Sequence, residues 1–332
     1  MMDATSLRAS RRLILAAAAL AFAVPSSQAA TKYAGEFLKI GVGARALGMG
    51  GAFVALADDA SATYWNPAGL ARLGRAEMQF MHAEQLGNLA DHDYFAFAQP
   101  LAGDHRQAIG IGLIRFGSDG IKETADHYVD SNGNGNWDPG ERILSEDFGS
   151  GSDSEYGLLL SYSREMAERW SLGGNVKLLR QGLLDNTSFG FGLDLGCLVN
   201  LRSGLAVGAR LSDATTTRIS WDTGHKESIA PTLALGAQYS RQIPGLAGRV
   251  NVGADLVRSF DGREEASQAG GSDLQGGLEY WYADAVAARV GADAGNLTAG
   301  AGLRYHRLGA DYAYLANPDL DATHRVSASV RF

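Results

Sequence analysis

The residues best suited to chemistry lie in one stretch of the chain, from Asp130 to Glu141. The stretch satisfies the calcium-loop pattern D-x-[DN]-x-[DN]-G-x5-E throughout. Calcium prefers hard oxygen ligands at about 2.3 to 2.6 Å. The sequence therefore predicts a calcium-binding loop, and an Asn/Gly-rich loop that holds no ion is the alternative. The expected ligands are the side chains of Asp130, Asn132, Asn134, Asp138 and Glu141 and the backbone carbonyl of Asn136.

No helical periodicity flanks this loop, and the rest of the chain carries the period of β-strands. The odd positions from Phe189 to Val199 are large or apolar, whereas the even positions from Ser188 to Gly196 are small or polar. The same alternation recurs over residues 297–305. A helix would scatter such residues around its circumference. These stretches run roughly eight residues or more, against about five or six in an average strand, and this length favours transmembrane strands.

The number of these segments predicts the architecture. Even strand counts with alternating short and long connections are typical of bacterial outer-membrane barrels. The connections near Gly103, Ala167 and Asp284 are short, whereas those over about 117–151 and 212–227 are long. We therefore expect an all-β protein, a 14-stranded antiparallel transmembrane β-barrel in the bacterial outer membrane, with the loop at 130–141 outside. The fourteen segments begin near Arg75, His92, His105, Asp153, Glu168, Thr187, Ser203, Ser228, Gly248, Gly271, Ala285, Asn296, Gly309 and Ala322.

Composition argues against several other classes of protein. The formal net charge of -8 lacks the basic excess that binds phosphates, so we expect no nucleic-acid partner. Cys197 is the single cysteine, which excludes a disulfide framework and a multi-thiolate metal site. Neither H-E-x-x-H nor G-x-S-x-G occurs, and we predict that the chain is not an enzyme. A soluble exported β-protein is the alternative to a barrel.

Both ends of the chain carry targeting features. Arg8, Arg11 and Arg12 precede an apolar run over 13–24 and small residues at 27–29, as in a secretory signal peptide. The last strand alternates and closes on Phe332, which we interpret as a signal read by the outer-membrane assembly machinery. The predicted divisions are a signal peptide at 1–30, an N-terminal plug at 31–74 and the barrel at 75–332.

The N-terminal region resembles the signature of a known family. The pattern runs from Phe37 through an Ile-Gly-x-Gly-Ala-Arg step ending at Arg45, continues with Ala57-Asp58-Asp59, and ends with Trp65-Asn66-Pro67-Ala68-Gly69. It is similar to the PorV/PorQ family, which lies within the superfamily of FadL-like outer-membrane proteins. The resemblance covers about forty residues and continues only as pattern. It implies a fourteen-stranded barrel whose N-terminal segment lies inside or beneath the lumen.

The resemblance also implies a function. Some members of the family serve a secretion system, so we expect a role in protein secretion or surface assembly, with a secretion-system component or a cargo protein as partner. FadL itself passes hydrophobic molecules, and a FadL-like transporter of small hydrophobic molecules is the alternative. The other expected partner is the lipid of the outer membrane.

Two further expectations concern the lumen. Because Pro67 disfavours helical backbone at Asn66, the residues Asn66, Pro67, Ala68 and Gly69 are predicted to form a structural corner. Charged residues of both signs fall on inward positions and nearly cancel, which indicates pairing across the lumen, hydration or contacts with the plug. They are Lys177, Arg210, Arg289, Arg304 and Arg331 with Asp194, Asp255, Glu279, Asp293 and Asp311.

Overall fold

A computed structural model describes residues 34–85, 87, 89–123, 128–143, 149–201, 204–261, 272–316 and 322–332. The predicted signal peptide at 1–30 lies outside the described residues. In the described part of the chain, no helix is long and apolar enough to cross a membrane. Two short α-helices, α1 (Ala44–Leu47) and α2 (Ala62–Trp65), and three 3-10 helices, Glu36–Lys39, Pro67–Arg72 and Pro244–Leu246, are present in that part.

The remaining elements are strands. In chain order they are β1 (Glu77–Gln85), β2 (Ala90–Leu101), β3 (Asp104–Glu123), β4 (Gly149–Ala167), β5 (Trp170–Leu183), β6 (Asn186–Asn200), β7 (Leu205–Ser212), β8 (Thr217–Trp221), β9 (Lys226–Ile229), β10 (Thr232–Ile243), β11 (Gly248–Ser259), β12 (Ser272–Tyr282), β13 (Val286–Asp293), β14 (Asn296–Tyr305), β15 (Leu308–Leu315) and β16 (Thr323–Arg331).

The sheet closes on itself as an antiparallel barrel. The first strand pairs with the last, in a register that runs from Glu77 opposite Arg331 to Ala83 opposite Arg325. Of the sixteen strands, β8 and β9 form a side hairpin on β6, and the other fourteen complete the ring. The predicted fourteen-stranded barrel is confirmed. The long connections lie at one end of it, together with the two-residue turns after β5 and β13, and the connections at the other end are all short.

The hairpin of β8 and β9 lies where the sequence predicted only a long loop. Its buried residues, Thr217 and Ile219, alternate with Arg218 and Ser220, as in any strand with one covered face. A run of this length is too short to span a membrane, so its pattern did not distinguish it from a loop. The hairpin extends the wall beyond the end of β7.

The two faces of the wall differ as the alternation predicted. On β6, Phe189, Phe191 and Leu195 are 58%, 48% and 48% exposed on the outside of the barrel. Ser188 and Asp194, which point inward, are buried. A continuous apolar outer face of this kind is what strands surrounded by lipid require.

The N-terminal segment fills the inside of the barrel. Residues such as Phe37, Phe53 and Trp65 are buried in one cluster with wall residues that include Tyr94 and Ile114. Helix α1 contacts β14, β15 and β16, and the 3-10 helix over 67–72 contacts β2 to β6 on the opposite wall. We refer to residues 34–74 as the plug.

Candidate functional site

An ion-pair network ties the plug to the barrel wall. The guanidinium of Arg45, on α1, is buried and donates to both carboxylate oxygens of Glu279 on β12, at 2.9 and 3.0 Å. It also donates to Asp58 at 2.5 Å and to Asp59 at 2.9 Å. Burial opposes the charge on Arg45, but Asp58 and Glu279 outweigh it and raise the Arg45 pKa well above its ordinary value.

The network continues into the wall itself. Arg289 on β13 donates to Glu279 at 2.7 Å and forms an ion pair with Asp311 on β15 at 2.7 Å. Glu279 therefore lies between a plug cation and a wall cation, and it is fully buried. Removing one cation would break buried ion pairs of this network, and breaking a buried pair costs about 3 to 5 kcal/mol.

The plug backbone also lies directly against the wall. The carboxylate of Asp255 on β11 accepts the backbone N–H groups of Phe53 and Val54, each at 2.8 Å. At Gly277 on β12, a Cβ atom would overlap the carbonyl oxygen of Met49. Such a close approach of two backbones requires glycine in the wall.

The predicted corner at Asn66 to Gly69 lies within the plug. Asn66 has extended backbone, and Pro67 begins the 3-10 helix that follows. The Asn66 side chain accepts from the N–H of Ala68 at 3.2 Å and donates to the carbonyls of Val54 and Cys197. A Cβ atom at Gly69 would overlap the carbonyl oxygen of Ala57. The corner thus contacts both the plug and the wall strand β6.

A cavity of about 220 Å³ lies between the plug and the wall at the end with the long connections. We call it the outer cavity. Its apolar lining includes Leu47 and Trp65 from the plug, Ile114 and Leu159 from the wall, and Ile229 from the end of β9. All five side chains are buried. Charged side chains share the lining, among them Lys177, Asp194, Arg210, Asp273 and Asp293, so the cavity has an apolar part and a polar part, and the plug closes it below.

Some of the charged groups around the outer cavity compensate one another. The ammonium of Lys177 lies 3.0 Å from Asp194 and 2.7 Å from Asp213. Arg210 donates to the backbone carbonyl of Tyr64 at 2.8 Å, and the Tyr64 hydroxyl donates to the carbonyl of Leu38 at 2.6 Å. The lumen charges pair here and around Glu279 between nearby strands of the wall and with the plug, and the described pairs do not cross the lumen from one wall to the other.

A second cavity, of about 500 Å³, lies on the other side of the plug, at the end with the short turns. We call it the inner vestibule. Its walls carry residues from the plug's end, from the start of β1 and β11, and from the turns after β12 and β14. The plug therefore separates two cavities that open toward opposite ends of the barrel.

The predicted calcium loop forms a compact turn of its own. The Asp130 carboxylate accepts backbone N–H groups from Gly133, Asn134 and Gly135, and these bonds lower the Asp130 pKa, that from Gly135 most. The Asp138 carboxylate accepts the side-chain amides of Asn132 and Asn134 at 2.6 and 2.7 Å.

The C-terminal end of the loop is held by hydrogen bonds of the same kind. Glu141 accepts the backbone N–H groups of Ser131 and Asp138, at 2.8 and 3.0 Å, and the N–H of Asn136 donates to the Asn134 side chain. Within the described residues, no group of three His, Cys, Asp or Glu side chains is placed to hold a metal ion. A bound calcium ion would have to replace some of these N–H contacts.

Comparisons with known proteins give the fold of the chain. The barrel matches the Pseudomonas putida toluene transporter TodX, with a TM-score of 0.57 and 12% identity, over 88% of this chain and 99% of that chain. It matches the monoaromatic hydrocarbon channel CymD, with a TM-score of 0.58 and 13% identity, over 88% and 98%. A Pseudomonas aeruginosa FadL homologue gives a TM-score of 0.50 and 14% identity, again over 88% and 98%. The fold is that of the FadL-like barrels.

The sequence of the chain matches a known family over its N-terminal part. Residues 14–103 match the model of an uncharacterised protein family, UPF0164. This region contains the N-terminal signature and the first strand. No curated protein sequence matches the chain.

The strand alternation predicts that Glu279 and Asp255 face inward, but it predicts no role for Arg45. The missed signal was a lone cation, Arg45, within a segment that otherwise holds small and apolar residues up to Ala57. A charge in such a segment needs a buried partner. The inward acids of the wall were the candidates for that partner.

Proposed function

We propose that this barrel is an outer-membrane transporter of a small hydrophobic molecule, which enters through the outer cavity. The observation that carries the proposal is the outer cavity itself, a chamber of about 220 Å³ above the plug whose lining includes the buried apolar side chains of Leu47, Trp65 and Ile114. An apolar cavity of about 150 Å³ in a protein core binds benzene. The outer cavity is therefore of a size for a compact molecule such as a single aromatic ring.

Part of the charge around the outer cavity is compensated within the protein. Lys177 is held by two carboxylates, and the Arg210 guanidinium donates to a backbone carbonyl. Arg210, Asp273 and Asp293 form no ion pair among the described residues, so an apolar molecule would lie against the apolar part of the lining. The fold supports the proposal as well, because TodX is described as a toluene transporter and CymD as a monoaromatic hydrocarbon channel.

The same proposal places the chain in the outer membrane of a bacterium, surrounded by lipid. The apolar outer face and the alternation of short turns and long connections support this location. By the usual orientation the outer cavity faces the outside of the cell and the inner vestibule faces the periplasm. Phe332, which is half exposed at the end of β16, fits a role as a signal for the assembly machinery.

Uptake by whole cells tests the proposed function. Cells that express the chain in a strain lacking general porins should accumulate radiolabelled toluene faster than cells with an empty vector, and the rate should saturate. A variant barrel with Leu160→Trp, on the outer face, should transport at the parent rate. Equal uptake with and without the chain would contradict the proposal.

A second candidate is a role in protein secretion or surface assembly, as in PorV/PorQ proteins. It is favoured by the signature from Phe37 to Gly69, which lies in the plug. Deletion of the gene should then remove proteins from the cell surface and the medium while toluene uptake stays unchanged. An unchanged surface and secreted proteome, together with lost uptake, would contradict it.

We also propose that the loop from Asp130 to Glu141 binds calcium. The motif supplies six oxygen ligands in the required order, and the loop lies between the long strands β3 and β4 at the outer end. With three carboxylates among the ligands, we expect a dissociation constant of about 10⁻⁴ to 10⁻³ M, as in extracellular modules.

A further inference from the structure

The inner vestibule is rich in arginine, and its charges do not cancel. Its volume of about 500 Å³ falls within the range of about 300 to 1,000 Å³ that is typical of small-molecule sites. Five arginines and three acids line it: Arg72, Arg75, Arg249, Arg304 and Arg331, with Asp58, Glu77 and Asp284.

Each of the three acids already has a cationic partner. Glu77 accepts from Arg331 at 3.2 Å. Asp284 lies 3.8 Å from Arg249. The third acid is Asp58, which forms its ion pair with Arg45 of the plug and also lies near enough to Arg72 and Arg304 to interact with their charges.

Three guanidinium groups of the vestibule have no carboxylate partner among the described residues. Arg72 donates to the carbonyls of Ala55 and Leu56 and to the side chain of Asn200. Arg304 stacks over the ring of Trp281 at 3.9 Å. Arg75 is exposed and forms no ion pair in that part of the chain. The lining carries two more arginines than acids, and a concave site with an excess of positive charge attracts anions.

We propose that the inner vestibule binds an organic carboxylate, so that the transported molecule combines a small apolar body with one carboxylate group. Arginine favours carboxylates because its planar fork matches both oxygens at once. The outer cavity would accept the apolar body, and the vestibule would draw the anionic group toward the inner end. This inference rests on the proposed function and adds the chemical class of the molecule.

Equilibrium binding to the purified, detergent-solubilised barrel tests the inference. Benzoate should bind at least tenfold more tightly than benzamide, which has the same planar shape without the charge. Hydrogen bonds from a charged donor are among the stronger ones, so the double substitution Arg75→Gln with Arg304→Gln should weaken benzoate binding by a factor of ten or more. Arg164→Gln is the matched control, because Arg164 is exposed on the outer face of β4 near the same end.

Further variants separate charge from folding. The double substitution Arg75→Lys with Arg304→Lys keeps both charges and should bind more tightly than the Gln pair. All variants should show the parent's heat-modifiable migration on gels. Equal binding of benzoate and benzamide, or no effect of the Gln pair, would overturn the inference. Inorganic phosphate binding as tightly as benzoate would also overturn it, since the site would then recognise charge alone.

The result of the benzoate-binding experiment is independent of the result of the toluene-uptake experiment. Saturable toluene uptake without benzoate binding would overturn this inference and leave the proposed function standing. Benzoate binding that the Gln pair abolishes, with no uptake of either molecule by cells, would contradict the proposed function and leave the carboxylate site standing.

Discussion

Arg45 of the plug and Glu279 of the barrel wall, 234 positions apart in sequence, form a buried two-point ion pair at 2.9 and 3.0 Å. The pair fixes the plug at one depth in the lumen, because Glu279 is itself held by Arg289. A plug anchored through charge can be displaced only if all of these bonds are exchanged for water. The closed state of the lumen thus depends on a few identifiable groups.

Removing the plug cation should release the plug. In Arg45→Met, Glu279 and Asp59 lose a buried partner, which costs about 3 to 5 kcal/mol. We expect frequent open-channel events in planar lipid bilayers while heat-modifiable migration persists. The Arg45→Lys control keeps the charge and should open less often. Parent-like closure of Arg45→Met would show that packing alone holds the plug.

Adding a methyl group to the wall should also release the plug, in this case by steric overlap. Gly277→Ala places a Cβ atom against the Met49 carbonyl, whereas the neighbouring Gly276 has no atom within 4 Å of such a Cβ. Gly277→Ala should therefore lower the thermal unfolding temperature and increase conductance, and Gly276→Ala should leave both unchanged. If the two variants behave alike, the plug does not lie against β12 as described.

Acidification should open the lumen only when the pH falls below the ordinary pKa range of carboxylates. Burial raises the Asp58 pKa, but Arg45 outweighs this effect, so that the pKa of Asp58 is lowered in the folded protein. A lowered pKa gives stability that is complete above the unfolded value of about 3.9 and is lost as the pH falls below it. Single-channel recordings should show a closed channel from pH 7 to about pH 5 and openings only below about pH 4.

A substitution separates Asp58 from other acids in this response. Asp58→Asn mimics the protonated side chain, so its openings should be more frequent than the parent's above about pH 4 and should vary less with pH. An opening transition between pH 7 and pH 5 in the parent would contradict the assignment.

Calcium binding should require both ends of the external loop. Glu141→Gln and Asp130→Ala each remove one of three carboxylates, and calorimetry should detect no calcium binding in either variant at millimolar calcium. Glu165→Gln, on β4, is a control outside the loop and should bind as the parent does. Absence of binding in the parent, or parent-like binding in Glu141→Gln, would identify the motif as a turn without an ion.

The barrel could be predicted from the sequence because each strand carries its own local signal. The alternation around Phe189 and Ser188 specifies one strand and two faces, independent of its neighbours. The hairpin of β8 and β9 was missed because Thr217–Trp221 is too short for that signal to separate from a loop.

The site could be predicted only in part. Inward parity placed Glu279 in the lumen, but no local spacing shows that its partner is Arg45. The outer cavity depends on residues brought together from the plug, from β3 and β4, and from the end of β9. Such contacts are set by closure of the barrel around the plug, which the sequence pattern of any one segment does not contain.

Binding of a small aromatic probe in the outer cavity is the most direct test of the proposed transport function. Leu159 is buried and lines the cavity, whereas the adjacent Leu160 is 43% exposed on the outer face. Fluorine NMR of fluorobenzene with the purified barrel should show saturable binding that Leu159→Trp abolishes and Leu160→Trp leaves unchanged. Fluorobenzene binding that is absent from the parent, or that survives equally in both variants, would contradict a transporter that admits its molecule above the plug.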